Sequence, residues 1–272
     1  MKFKKLIFTV VISLALIVSA MSHVKAEDAS PKFNAEALES KAETGDVLAM
    51  RDLGMAYLFG NVIFQDGFMA EFWLLQAAEK NNVASQAALG YLYEDGLGIS
   101  QNIQAAIKWY GKASEQDHPV AQSRLGFILK RGEGGNQDYK RAMTLLARAA
   151  AWGDAYAQAN VADMYEKGLG IKKDYSLAAT WYSAAAAQNH TQAQLRLAYL
   201  HEKGLGLKKD LIRAYMWYAI AGVWETAGED EFPKNDPRQQ LKKIMSKDDV
   251  ISAETSATDW WAEHFESDAP VL

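Results

Sequence analysis

Residues 166–174 read EKGLGIKKD, and a near copy, EKGLGLKKD, stands at 202–210. A glycine-rich turn carrying lysines can cradle a phosphate, because backbone amides and ammonium groups converge on the anion. A Walker-type loop, however, needs glycine, four residues and then Gly-Lys-Ser/Thr, set between a strand and a helix. No strand pattern precedes either stretch, and Asp174 and Asp210 put negative charge where the phosphate would lie. The recurrence points instead to a structural hinge used more than once.

Other reactive groups are no better placed for catalysis. The five histidines, His23, His118, His190, His201 and His264, form no HExxH pair. The acidic run GEDEF…ND (228–236) lacks the spacing of an EF-hand. The absence of cysteine excludes disulfides, thiolate metal sites, a cysteine nucleophile and a lipidated leader. There is no Gly-x-Ser-x-Gly elbow. No catalytic residue, metal or cofactor is therefore expected. The carboxylates Glu94, Asp95, Asp163 and Glu166 are the material for an alternative, an envelope hydrolase or a carbohydrate- or peptidoglycan-binding protein.

Chemistry at a hinge depends on what the hinge joins. Leu53-Gly54, Leu89-Gly90, Leu125-Gly126, Val161-Ala162 and Leu197-Ala198 follow one another at steps of 36 residues, with no insertion or deletion. Other positions keep the same step. Gly60, Gly96, Gly132, Gly168 and Gly204 form one series, and Asp66, Asn102, Asp138, Asp174 and Asp210 another. Trp73, Trp109, Leu145, Trp181 and Trp217 are flanked on both sides by alanine series. A fixed period of this length is the mark of a repeat architecture.

Each unit reads as two helices. Apolar residues around the Leu-Gly pair fall on one helical face. The glycine seven residues on ends that helix, because it takes the left-handed conformation. Asp or Asn caps the second helix by accepting from its free first-turn amides. Gly45, Asn81, Asp117, Gly153 and Asn189 suit the turn into each unit, and Pro119 suits a first helical position. Small residues beside the leucine let backbones approach, and the Trp and Tyr positions fill the wider gaps. The fold class predicted is all-α: an α/α solenoid of five 36-residue helix-turn-helix repeats, with helical caps at both ends.

The stretches AALGYLYEDGLGISQNIQAAIKWYGKAS (87–114) and VADMYEKGLGIKKDYSLAATWYSAAA (161–186) carry a resemblance. Their pattern resembles the Sel-one-like repeat, a relative of the tetratricopeptide repeat with a longer interhelix loop. The resemblance covers residues 45–224. It departs at Val62, which replaces the second loop glycine, and at RGEGGNQD and Leu145 in the third unit. It implies a non-enzymatic protein–protein interaction scaffold of the bacterial envelope or secretome. Some cysteine-rich secreted members are linked to β-lactams, which a chain without cysteine does not support.

The ends complete the organisation. Lysines at 2, 4 and 5, an apolar run from Leu6 to Ala20 and Val24-Lys25-Ala26 read as a signal peptide cut after Ala26. Residues 27–44 are read as a capping helix begun by Ser30-Pro31, with Phe33, Leu38 and Ala42 on it. Residues 225–272 are read as an acidic loop and two capping helices. In these, Ser246 caps the last helix, and Val250, Ala253, Ala257 and Trp261 share a face. The formal charge of −5 becomes −9 once the four leader lysines are lost, which argues against nucleic acid or anionic lipid as a general partner. The location expected is exported, periplasmic or secreted, without stable membrane insertion after cleavage.

If the first helices line the concave surface, Tyr91, Phe127, Asp163 and Tyr199 stand along it at one unit position. Arg124, Lys130 and Arg131 flank the aromatics. This grouping suits a peptide or an acidic chain terminus, since aromatics supply area and arginine supplies directional donors. The same aromatics could instead pack against the neighbouring unit. The sequence names no partner and no oligomeric state.

Overall fold

The computed structural model describes residues 34–135, 137–222 and 236–265. The leader, Ser30-Pro31, Phe33 and most of the acidic loop lie outside the described residues. The described residues from Glu36 onward form one compact unit.

Thirteen helices and no strands occur among the described residues. Helix α1 (Ala35–Glu43) precedes five pairs: α2 (Val47–Phe59) with α3 (Gly67–Glu79), α4 (Val83–Asp95) with α5 (Ile103–Glu115), and α6 (Pro119–Arg131) with α7 (Tyr139–Ala151). Then come α8 (Ala155–Lys167) with α9 (Tyr175–Ala187), and α10 (Thr191–Lys203) with α11 (Leu211–Ala221). The short α12 (Pro237–Lys242) and the long α13 (Lys247–Phe265) follow. In the five pairs each first helix packs on its mate, and each second helix of units one to four packs on the next unit's first helix, so the all-α solenoid predicted from the period is the observed fold. First helices of neighbouring units also touch through units one to four.

Local chemistry explains the regularity. Gly60, Gly96, Gly132, Gly168 and Gly204 close the first helices in the left-handed region, with φ from 64° to 73°. Asp66, Asn102, Asp138, Asp174 and Asp210 accept first-turn amides of the second helices. The turn residues Gly45, Asn81, Asp117, Gly153 and Asn189 all have positive φ, which glycine, asparagine and aspartate tolerate best. Val62 keeps a negative φ, so the first unit turns without a second loop glycine.

The second loop glycine has a further duty in units two to five. A Cβ on Gly98 would lie 2.8 Å from the amide nitrogen of Gly67, and one on Gly206 would lie 2.2 Å from the carbonyl carbon of Tyr175. A Cβ on Gly170 would lie 3.0 Å from the carbonyl carbon of Tyr139, whereas the nearest neighbours of one on Gly134 are the side chains of Ile103 and Gln104. In units two, four and five the loop thus presses its backbone against backbone at the start of the preceding unit's second helix, an approach open only to glycine. This contact fastens the hinge of EKGLGIKKD to the previous repeat.

Packing sharpens one expectation. Trp73, Trp109 and Leu145 are buried, while Trp181 and Trp217 are only partly so. The side chain next in sequence is the more constant core element: Leu74, Tyr110, Leu146, Tyr182 and Tyr218 are all buried. A Cβ on Gly90 would fall 2.4 Å from the Tyr110 ring, so the small residue after the leucine makes room for this neighbour. At the end of the array Ala253 and Ala257 are fully buried against α11, with Val250, Trp260 and Trp261 packed beside them. Ser246 accepts the Asp249 amide at 3.1 Å, as expected of the cap. No described helix is long and apolar enough to cross a membrane.

Candidate functional site

Tyr91, Phe127, Asp163 and Tyr199 occupy matching places on α4, α6, α8 and α10, each partly exposed. A cation lies over each aromatic ring. Arg124 is 6.0 Å from the Tyr91 centroid, Arg131 5.3 Å from Phe127 and Arg196 4.9 Å from Tyr199. Phe59, from α2, stacks on Tyr91 at 6.2 Å and extends the row. Tyr91 and Tyr199 also rest against the core, so they pack with one side and leave the other open. The hydrogen bond with Asp95, helped by partial burial, raises the Tyr91 pKa and keeps its hydroxyl protonated.

The cations of this face are engaged within the chain. Lys130 bridges Asn160 at 2.9 Å and Asp163 at 2.5 Å, and Lys167 meets Asp163 at 2.6 Å. Burial pushes the Asp163 carboxyl up, but the bonds and charges of both lysines together outweigh it and hold it below its ordinary value. Arg131 pairs with Glu133, and Lys203 with Glu202. The face is therefore rich in both signs and presents no surplus of positive charge.

Two carboxylates form polar clamps between units. Glu94 accepts from the Tyr110 hydroxyl at 2.7 Å and faces Arg124 of the next unit at 3.6 Å. Glu166 accepts from Tyr182 at 2.9 Å and from Arg196 Nε at 3.1 Å, with a second bond from Arg196 Nη2. Burial drives the Tyr110 hydroxyl strongly upward, and the Glu94 carboxylate adds to it. A carboxylate held this way is a structural acceptor. Glu94 and Asp95 belong to unit two, whereas Asp163 and Glu166 belong to unit four.

A cavity of about 450 Å³ opens beside α11 and α13, lined by Leu197, His201, Asp210, Arg213, Trp217 and Ser256 among others. Its carboxyl, Asp210, already caps α11. His201 occupies the place held by Tyr57, Tyr93 and Tyr165 in other units and is buried, as a packed residue should be. Its Nδ1 has no hydrogen-bond partner.

His118 and His190 share the turn position of Asn82 and Asp154, as the sequence indicates. They are half-buried N-caps: each Nδ1 accepts an amide, from Ala121 at 3.3 Å and from Ala193 at 3.2 Å. Burial lowers both pKa values. A depressed folded pKa means that the unfolded chain takes up protons first. The stability from these caps is complete above the ordinary histidine value of about 6.5 and is lost as pH falls below it. The H118N/H190N double variant, with caps that do not titrate, is expected to lose less melting temperature than wild type between about pH 7.5 and about pH 5.5. Parallel melting curves for the two proteins would refute this assignment.

The Sel1 repeat pattern matches residues 47–82, 83–118, 119–154, 155–190 and 191–222. The chain belongs to the Sel1 repeat family. Sel1 repeat proteins generally mediate protein–protein interaction, and the family is generally non-enzymatic. Among solved structures, the chain is similar to c5321, a protective antigen of uropathogenic Escherichia coli strains with an SLR fold. That match has 28% identity and a TM-score of 0.77, and it covers 90% of this chain and 53% of the antigen. The chain thus spans about half the length of that relative. A Sel1 repeat protein from Oxalobacter formigenes matches at 30% identity and a TM-score of 0.62, over 77% of this chain and 92% of the other. No curated protein matches the chain.

One functional position of the Sel1 unit escapes a reading based on apolar periodicity. Gln86, Gln122, Gln158 and Gln194 are all buried. Each donates through Nε2 to a carbonyl at the end of the preceding second helix, from 3.2 to 3.4 Å. Gln116 and Gln188 complete two of these rungs, donating to Gln86 and Gln158 at 2.7 and 2.8 Å. In the third unit the matching residue is Trp152, which is exposed, and Gln122 Oε1 is left without a partner. The glutamines repeat at the family step, so the period was the available signal.

Proposed function

We propose that this chain is an exported, non-enzymatic scaffold that binds a protein or peptide segment along the concave side of the solenoid. The first helices form that side, which is supported by their mutual contacts through units one to four. The observation that carries the reading is the row of half-open rings, Tyr91, Phe127 and Tyr199, each with an arginine laid over it. Rings held in this way lose little freedom on binding, and aromatic and arginine side chains dominate interface energetics. Asp163, Lys130, Arg131 and Arg124 supply donors and acceptors around them. Because these charges are internally paired, the partner is selected by shape and directed hydrogen bonds more than by net acidity. The leader supports export to the periplasm or beyond.

The test is a crosslinked pull-down from the native envelope with the Y91A/F127A/R131A variant. Each hot-spot truncation costs over about 1 kcal/mol, so capture of the native partner should fall at least about tenfold while helix content is unchanged. Undiminished capture by a folded triple variant sinks the proposal.

A further inference from the structure

The outer surface of unit one differs in kind from the rest of the array. Phe68 and Phe72, one turn apart on α3, are 70% and 44% exposed, and Phe64, in the loop leading into that helix, is 87% exposed. The matching residues in unit two are Ser100, Gln104 and Lys108, and in unit four Lys172, Ser176 and Thr180. Lys140 and Thr144 follow the same polar rule in unit three. Unit five is the other exception, with Ile212 and Met216 in place of Phe68 and Phe72. There the apolar residues are packed into a core with α13, whose Ala253 and Ala257 are fully buried. The fold itself therefore shows what such a face accepts: a helix laid along the second helix of the unit.

We infer that the unit-one face is covered by the same face of a second copy, with α3 packing on α3 about a two-fold axis. An apolar patch on a two-fold axis is complementary to itself, which a patch built for a charged partner is not. The centre of the patch is all phenylalanine, so no like charges oppose one another there. The three rings expose about 400 Å² of apolar surface per copy, taking roughly 200 Å² for a whole side chain. Two copies bury about 800 Å² through these rings alone, the scale of a weak, reversible interface. Pairing leaves the first-helix face of both copies open, so the dimer would present two binding faces.

Sedimentation of the whole exported chain tests this directly. The average mass should rise towards twice that of one chain as concentration enters the high micromolar range, while F68E/F72E stays monomeric with unchanged helix content. Because the chain has no cysteine, a single F72C substitution gives a second readout. Mild oxidation should yield a disulfide-linked dimer from F72C at least about tenfold faster than from T144C, the matching site in unit three. Wild-type protein that stays monomeric throughout overturns the inference, as does association undiminished in F68E/F72E. Equal crosslinking of F72C and T144C overturns it too, and so does a monomer that takes up a foreign helix on this face.

Discussion

Replacing Gly206 by alanine will cost the array about 3 kcal/mol or more. Two effects add. The residue has φ +72°, where an L side chain is strained, and the new Cβ would stand 2.2 to 2.4 Å from backbone atoms of Tyr175 and Ser176. Backbone at a helix start cannot swing aside as a side chain can, so the loop must lift off the preceding unit. That movement also threatens the bond from Ser176 Oγ to the Gly206 carbonyl, 2.8 Å long. Two substitutions separate the effects. Gly153→Ala, at φ +89° with no atom within 4 Å of the new carbon, carries the strain without the collision and should cost about 1 kcal/mol. Gly111→Ala, in open space inside a helix, should stabilise by about 0.5 kcal/mol. Urea denaturation of the three variants gives the order. Similar losses for Gly206→Ala and Gly153→Ala would show that the loop does not press on its neighbour.

Glu166→Ala should produce the next largest loss, about 2 to 3 kcal/mol. The carboxylate is 8% exposed and joins the buried Tyr182 hydroxyl to Arg196 of the next unit. Removing it leaves a buried hydroxyl without its acceptor and a guanidinium without its counter-ion. Arg196 is 41% exposed, so water recovers part of its share and the loss stays below that of a fully buried pair. Glu166→Gln keeps an acceptor for Tyr182 and should lose about half as much. Glu94→Ala should lose less than Glu166→Ala, since Arg124 lies farther away, at 3.6 Å, and is 47% exposed. Thermal melts in low salt provide the comparison. A Glu166→Ala variant no weaker than an exposed control such as Glu115→Ala would rule out the clamp.

Much of the architecture was legible because it rests on backbone requirements that only a few residues meet. Glycine at each left-handed helix end, aspartate or asparagine at each cap and glycine or alanine at each close approach repeat with the step of the fold. What stayed hidden falls into two classes. The buried glutamine rungs repeat just as faithfully, but a search for apolar faces passes over a polar residue whose burial depends on a carbonyl eight positions back. The clamps are hidden for another reason. Tyrosine after the tryptophan position occurs in the units whose first helix carries Glu94, Glu166 or Glu202, while Leu74 and Leu146 accompany Leu58 and Lys130. That pairing emerges only when two positions are read together, and its third member lies in the following repeat. The candidate face shows the same limit. Its aromatic places were readable from the period, but the pairing of Lys130 with Asp163 and of Arg124 with Glu94 depends on the distance between units.

The loop glycines also dictate how the molecule comes apart. Each unit from the second onward is fastened to the one before it, and α13 closes the far end, but unit one has Val62 where the fastening glycine would be and Met50 where the glutamine rung would be. A chain coupled only between nearest neighbours behaves like a zipper. Its protection against solvent should fall away from the interior towards the less fastened end, so that the array frays from unit one inward rather than melting at a single stroke.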